Sequence, residues 1–228
     1  MKVIVVLHNI RSIYNVGAIL RTCEGLGVEK VVYSGYTPRY DDPCLLPHLR
    51  EKLNRQIEKA ALGAEKLVEQ VRLGGSAKND GDECNSSDGG AADRGTDNRS
   101  DAGGGDVSTA KLLTFLQKCA TMEYRIVGLE NNLTGCEVSR KLILGEKSKA
   151  EGDLKPSTDS ELSARSGRAD VFDTGKIVLI LGEEVHGIPA EIREKCEYFL
   201  EIPMQGQKES FNVSVAAGIA LWGLKNLY

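Results

Sequence analysis

The chain has 228 residues, 41% hydrophobic and 27% charged, with a formal net charge of −4, enough for a well-packed core of ordinary globular composition. Its longest apolar runs, such as Ile177-Val178-Leu179-Ile180-Leu181, are strand-sized and too short to span a bilayer, so no membrane partner is expected. Six scattered cysteines without a C-x-x-C pair exclude a disulfide framework and a zinc site of the usual spacing, and no metal is expected.

The first predicted element is a strand at 3–7 (VIVVL), directly after Met1-Lys2. It is shorter than a signal-peptide core and lacks a small-residue cleavage site, so a cytoplasmic location is expected. The segment H-N-I-R-S-I-Y-N-V-G-A-I-L-R-T follows at 8–22, and a helix is predicted over 16–25 with Asn15 as its N-cap. Gly17-Ala18 lets a second backbone come close, and Asn15 and Arg21 fall where α/β domains keep their sites. The residues alone equally allow an asparagine cap with two solvated arginines.

A second strand is predicted at 30–33. A helix over 49–72 follows, placing Leu53, Ile57, Ala60, Ala61, Leu67, Val68 and Val71 mostly three or four apart. Residues 74–106 contain nine glycines among Ser, Asn and Asp and bury too little surface to offset the entropy of ordering. A flexible insertion is therefore expected at 74–109, with three Lys/Arg against eight Asp/Glu. A helix at 109–121 and a strand at 125–129 come next. A second, less extreme insertion is expected at 145–175, with five basic against seven acidic residues. Outside these acidic segments the chain is mildly basic, and attraction to phosphate depends on such local charge.

The strand at 176–181 ends in L-G-E-E-V-H-G-I-P, residues 181–189. Gly182 and Gly187 bracket a tight loop whose backbone can meet a ligand, and Glu184 can receive a hydroxyl or ammonium. His186 reads as an ordinary loop histidine. A strand at 198–202 then leads into I-P-M-Q-G-Q-K-E-S-F-N-V-S-V-A-A, residues 202–217, where Ser210-Phe211-Asn212 enters a terminal helix over 212–227. That helix is apolar nearly all round, which fits a buried helix or one with a face on a second subunit.

Apolar strands separated by helices predict an α/β fold with a parallel sheet flanked by helices, a single domain over 1–228. Its ligand belongs beyond the C-terminal ends of the strands. No G-x-G-x-x-G follows the first strand, and there is no P-loop and no G-x-S-x-G elbow.

The three segments together resemble the three motifs of the SpoU family (SPOUT superfamily, TrmH-like). Asn15, Gly17, Ala18, Ile19 and Arg21 match the first, Gly182, Glu184 and Gly187 the second, and Ile202 to Ala216 the third, with Phe211 where the family has leucine. Gly35-Tyr36-Thr37-Pro38 and Ala61–Glu65 are also similar. The resemblance implies a C-terminal trefoil knot, a homodimer through the N- and C-terminal helices, and S-adenosyl-L-methionine (AdoMet) as methyl donor. It implies methylation of a ribose 2′-hydroxyl of RNA, tRNA or rRNA. By the same resemblance Arg21, Asn15, Glu184, Ser210 and Asn212 are the catalytic set. Leu129, Glu130, Gly182, Ile202, Met204, Ser210 and Phe211 would hold the cofactor. The competing readings are an inactive RNA-binding protein on the same fold and a SPOUT enzyme that methylates a base or a small molecule.

Overall fold

The computed structural model describes residues 1–73, 107–131, 133, 141–143 and 174–226. In chain order the described elements are β1 (Lys2–His8), α1 (Ile13–Gly25), β2 (Lys30–Ser34), α2 (Pro47–Ala61), a 3-10 turn (Ala64–Lys66), β3 (Gln70–Arg72) and α3 (Val107–Thr121). They continue as β4 (Arg125–Leu129), β5 (Lys141–Ile143), β6 (Lys176–Leu181), α4 (Ala190–Arg193), β7 (Tyr198–Glu201) and α5 (Val213–Asn226). The strands form one sheet in the order β3-β2-β1-β6-β4-β7-β5, every pair parallel.

The two-residue period of the strands sorts side chains onto two faces. Val3, Val5 and Leu7 of β1 join the core that contains Ile19 and Leu20 of α1, Ile57 of α2 and Leu221 of α5. Ile4 and Val6 join the opposite core, with Leu112 and Leu116 of α3 and Ile192 of α4. Because β6 is covered on both faces, its continuous apolar run is buried, each such side chain contributing roughly 1.5–3 kcal/mol. The order of chain connections reverses beside β1: β2 and β3 lie to one side, β6, β4, β7 and β5 to the other. Leu181 of β6 pairs with both Leu7 of β1 and Leu129 of β4, so these three strands end at one level. The loops after β6 and β4 therefore open into one crevice, next to the reversal point beside β1.

Three sequence expectations are corrected. Helix α1 begins at Ile13 rather than Val16, and its cap is Ser12, whose hydroxyl accepts from Asn15 N. That leaves the Asn15 side chain available for other partners. The helix expected over 49–72 stops at Ala61, because Leu62 and Gly63 both take positive φ (51° and 99°). The chain then turns through the 3-10 segment, and Gln70–Arg72 becomes the edge strand β3, so Val71 packs on the sheet rather than on a helix. The strand expected at 198–202 ends at Glu201. Of the two expected insertions, 107–109 belong to α3 and 174–175 form a turn before β6. The rest of both stretches, and the end of the terminal helix beyond Asn226, lie outside the described residues.

Gly17 is required by packing. A Cβ there would lie 2.7 Å from Ile57 O and 2.8 Å from Ala60 Cβ, so the contact between α1 and α2 admits only hydrogen. This seats α1, and with it Asn15, against the body of the domain.

Candidate active site

The crevice beyond β4, β6 and β7 is a cleft of about 320 Å³. Leu129, Glu130, Gly182, Ile202, Ser210 and Phe211 line it, six of the seven residues expected at a cofactor; Met204 stands outside the lining. Glu184 and Asn212 of the expected catalytic set line it too. Asn131, Glu183, Val185, Val213 and Ala216 complete much of the wall and had not been singled out for it. Val213 and Ala216 lie within the third matched segment and Glu183 and Val185 within the second, while Asn131 carries no signal beyond its place next to Glu130.

The loop after β6 is a tight hairpin, with Glu183 N donating to Gly187 O at 3.0 Å and Gly187 N to Glu183 O at 2.9 Å. A Cβ at Gly182 would run into the Gly187–Ile188 backbone, and Gly187 has a φ of 68°. Glycine is thus demanded at both ends of the loop. Glu130 closes the other side. Its carboxylate accepts from Ile188 N at 2.9 Å and Asn131 N at 3.2 Å, which ties the end of β4 to the hairpin. The Asn131 side chain donates to Glu209 O at 3.1 Å and fastens the loop before α5 to the same corner. Glu130 is therefore a brace of the cleft wall as well as part of its lining.

The three motif segments meet in a directed chain of side-chain hydrogen bonds. Asn212 caps α5, its Oδ1 accepting from Ser214 N at 2.9 Å. That fixes the amide so that Nδ2 faces α1, where it donates to Asn15 Oδ1 at 3.2 Å. The Asn15 Nδ2 in turn donates to Glu184 Oε1 at 3.2 Å. The Glu184 carboxylate also accepts from the backbone N–H groups of Arg11 (3.2 Å) and Ser12 (3.3 Å). Burial pushes the Glu184 carboxyl pKa up, but hydrogen bonds from backbone N–H groups and from Asn15 outweigh this and hold it below the ordinary carboxylate range. The result is a fixed anion at the mouth of the cleft.

Arg21 stands apart from this chain. Six residues beyond Asn15, it lies about 120° around α1 from it. It is exposed on the same stripe as the half-exposed Tyr14. The adjoining α5 exposes Val215 and Trp222. Ser210 is exposed at the cleft rim. His186, the expected loop histidine, is 76% exposed at its side chain and contacts Glu183 at 3.1 Å.

Residues 107–222 match the SpoU rRNA Methylase family. The chain belongs to that family. It is similar over short stretches to curated RNA methyltransferases. One is a 23S rRNA (guanosine-2′-O-)-methyltransferase, RlmB, of Xylella fastidiosa, 50% identical over 48 residues, which are 21% of this chain and 19% of that protein. Another is an uncharacterized tRNA/rRNA methyltransferase of Mycobacterium tuberculosis, 42% identical over 62 residues, 26% of this chain and 19% of that one. The matched stretches thus span about a fifth of these relatives' length.

Solved SpoU-type structures resemble nearly the whole chain. An AdoMet-bound rRNA methyltransferase from Sinorhizobium meliloti superposes with a TM-score of 0.57 at 16% identity, over 99% of this chain and 56% of that one. The A. aeolicus TrmH/SpoU tRNA modifying enzyme gives 0.52 at 22% identity, over 98% and 74%. The fold is accordingly the α/β knot of SpoU methyltransferases, as the sequence motifs implied.

Proposed function

We propose that this SpoU-family chain is an AdoMet-dependent RNA methyltransferase that modifies a ribose 2′-hydroxyl of tRNA or rRNA. The observation that carries the reading is the junction of Asn212, Asn15 and Glu184 at the mouth of the cleft, which unites all three motifs beside a space of about 320 Å³. The cleft's residues fit the cofactor. Leu129, Leu181 and Ile202 give an apolar wall, and Phe211, 40% exposed, offers a further apolar surface. Gly182 and Gly187 contribute backbone to the lining, and the acidic groups Glu130, Glu183 and Glu184 complement a ligand carrying sulfonium and ammonium charges. When bound, AdoMet supplies an activated methyl group, which leaves the protein the tasks of alignment and of handling the hydroxyl proton.

Glu184 and Asn15 hold the loop before α1 against the hairpin after β6, and Ser210 and Asn212 present polar groups to an acceptor at the rim. A guanidinium offers hydrogen-bond donors and no acceptor, so the part of Arg21 is to bind the ribose–phosphate and stabilise developing alkoxide charge. Its place on the exposed stripe of α1 with Tyr14, on a helix that packs against α5, whose Val215 and Trp222 are themselves exposed, supports a homodimer through these helices in which Arg21 serves the partner's cleft. Of the proteins named above, RlmB is a 23S rRNA methyltransferase and the A. aeolicus protein a tRNA modifying enzyme, and either substrate suits this arrangement.

Calorimetry tests the cofactor reading. The wild-type chain is expected to bind AdoMet, Gly182→Val to lose binding, and Arg21→Ala to bind normally while transferring no methyl group to RNA. Absence of AdoMet binding by the wild type would favour the reading as an inactive RNA-binding protein.

A further inference from the structure

Beside the cleft, at the ends of β1 and β2, an exposed aromatic ring and an exposed cation are held together on a built support. Tyr36 is 50% exposed, and the Arg11 side chain 63%. The Arg11 guanidinium lies 5.7 Å from the Tyr36 ring centroid, and Nε donates to the Tyr36 hydroxyl at 3.3 Å. Nη2 is paired with Glu183, itself on the cleft wall. The hydrogen bond to Tyr36 and the Glu183 charge keep the guanidinium firmly protonated. These contacts engage two nitrogens of a fork that has five N–H donors.

The support beneath is specific. Asn9 takes a φ of 60°, and its Oδ1 accepts from Tyr36 N at 3.3 Å. Gly35 has a φ of 66°, and the Asn9 side chain fills the place a Cβ at 35 would need. The Asn9 amide meets His8 Nε2 at 3.2 Å, and buried His8 meets Ser34 Oγ at 3.1 Å. Buried Thr37 ties the same turn down, accepting from Ile10 N and donating toward Leu7 O, both at 3.0 Å. A non-glycine residue in the left-handed region costs energy and persists where the surroundings over-determine it, which concentrates such residues at functional sites. Here it orders a ring that half faces solvent and so does little to fill the core.

We propose that Arg11 and Tyr36 form a nucleotide shelf beside the reaction centre, with one unpaired RNA base stacked on Tyr36 and the adjoining phosphate on Arg11. The backbone N–H of Arg11 already donates to Glu184, so the shelf and the cleft mouth share a residue and their spacing is fixed. Unpaired bases of RNA are read by stacking on aromatic rings and guanidinium planes, with phosphates taken by arginine. The shelf rests on the RNA-methyltransferase reading and adds to it the nucleotide flanking the target and the residues that hold it.

The test uses the full chain, saturated with S-adenosylhomocysteine, and a fluorescein-labelled RNA hairpin with an unpaired loop, followed by fluorescence anisotropy. Tyr36→Leu is expected to weaken binding about 5- to 100-fold, whereas Tyr36→Phe, which keeps the ring, stays within about two-fold of wild type. Arg11→Gln is expected to lower the slope of log affinity against log salt by about 0.7, one phosphate contact on a single strand. AdoMet affinity and thermal unfolding of the tyrosine variants should match wild type. Wild-type RNA affinity in Tyr36→Leu, or an equal loss in Tyr36→Phe, overturns the shelf while leaving the methyltransferase reading intact. So does a changed oligomeric mass in Tyr36→Leu, which would assign the ring to a subunit contact. A wild-type chain that binds AdoMet but no RNA overturns the RNA reading and the shelf with it.

Discussion

Asn15 and Asn212 lie 197 positions apart in the chain, yet their side-chain amides meet at 3.2 Å and hand a hydrogen bond on to Glu184. Each amide is oriented by its next partner, so the chain has one direction and works as a unit. Asn15→Ala and Asn212→Ala should therefore be non-additive. A double-mutant cycle on kcat/KM is expected to give a coupling of about 0.5–3 kcal/mol, whereas additive losses would mean that the two amides act separately.

Glu184 couples this unit to acidity. Its carboxyl titrates below the ordinary carboxylate value, so its ionised form favours the folded state. That stabilisation is complete above the ordinary value and fades as the pH falls through the lowered one. Glu184→Gln should accordingly be less stable than wild type at neutral pH, with the difference closing in acid. Urea midpoints measured across a pH series check this, and a gap that widened in acid would contradict it.

Gly17→Ala tests the packing that seats α1. The added methyl would press on the backbone of Ile57 and on Ala60, neither of which is the movable end of a flexible side chain. An overpacking cost of about 1–3 kcal/mol is expected in denaturant unfolding, with a parallel loss of activity as Asn15 shifts. A neutral or stabilised Gly17→Ala would show that the helices can part without penalty.

The placement of Arg21 predicts complementation. If Arg21 serves the partner's cleft, a mixed dimer of Arg21→Ala and Glu184→Gln chains contains one intact site. Mixing and refolding the two inactive variants should then restore part of the activity. No recovery, with mixed dimers demonstrated by mass, would place Arg21 in its own chain's site.

Much of this was legible in the sequence, because apolar runs of strand length and residues at helical spacing report the two kinds of buried face directly. The parallel sheet and its strands β1, β4 and β6 follow from that signal, whereas the cleft residues after them follow from the resemblance of the three segments to the SpoU motifs. The helix expected through 49–72 failed because Val71 continues an apolar spacing that Leu62 and Gly63 break, and their left-handed backbone carries no strong composition cue. Asn15 has the residue type of a cap, but Ser12, three residues earlier, takes that place and frees Asn15 for Glu184. The shelf of Arg11 and Tyr36 was not legible, since it depends on two turns 25 positions apart meeting at a strand end.

The central claim is methyl transfer to a ribose hydroxyl, and nucleoside analysis tests it most directly. RNA incubated with the chain and methyl-labelled AdoMet is digested to nucleosides and separated. The label is expected in 2′-O-methylnucleosides, with none when the acceptor nucleotide is replaced by its 2′-deoxy form. Label in a methylated base, or transfer that survives the 2′-deoxy replacement, would contradict the account.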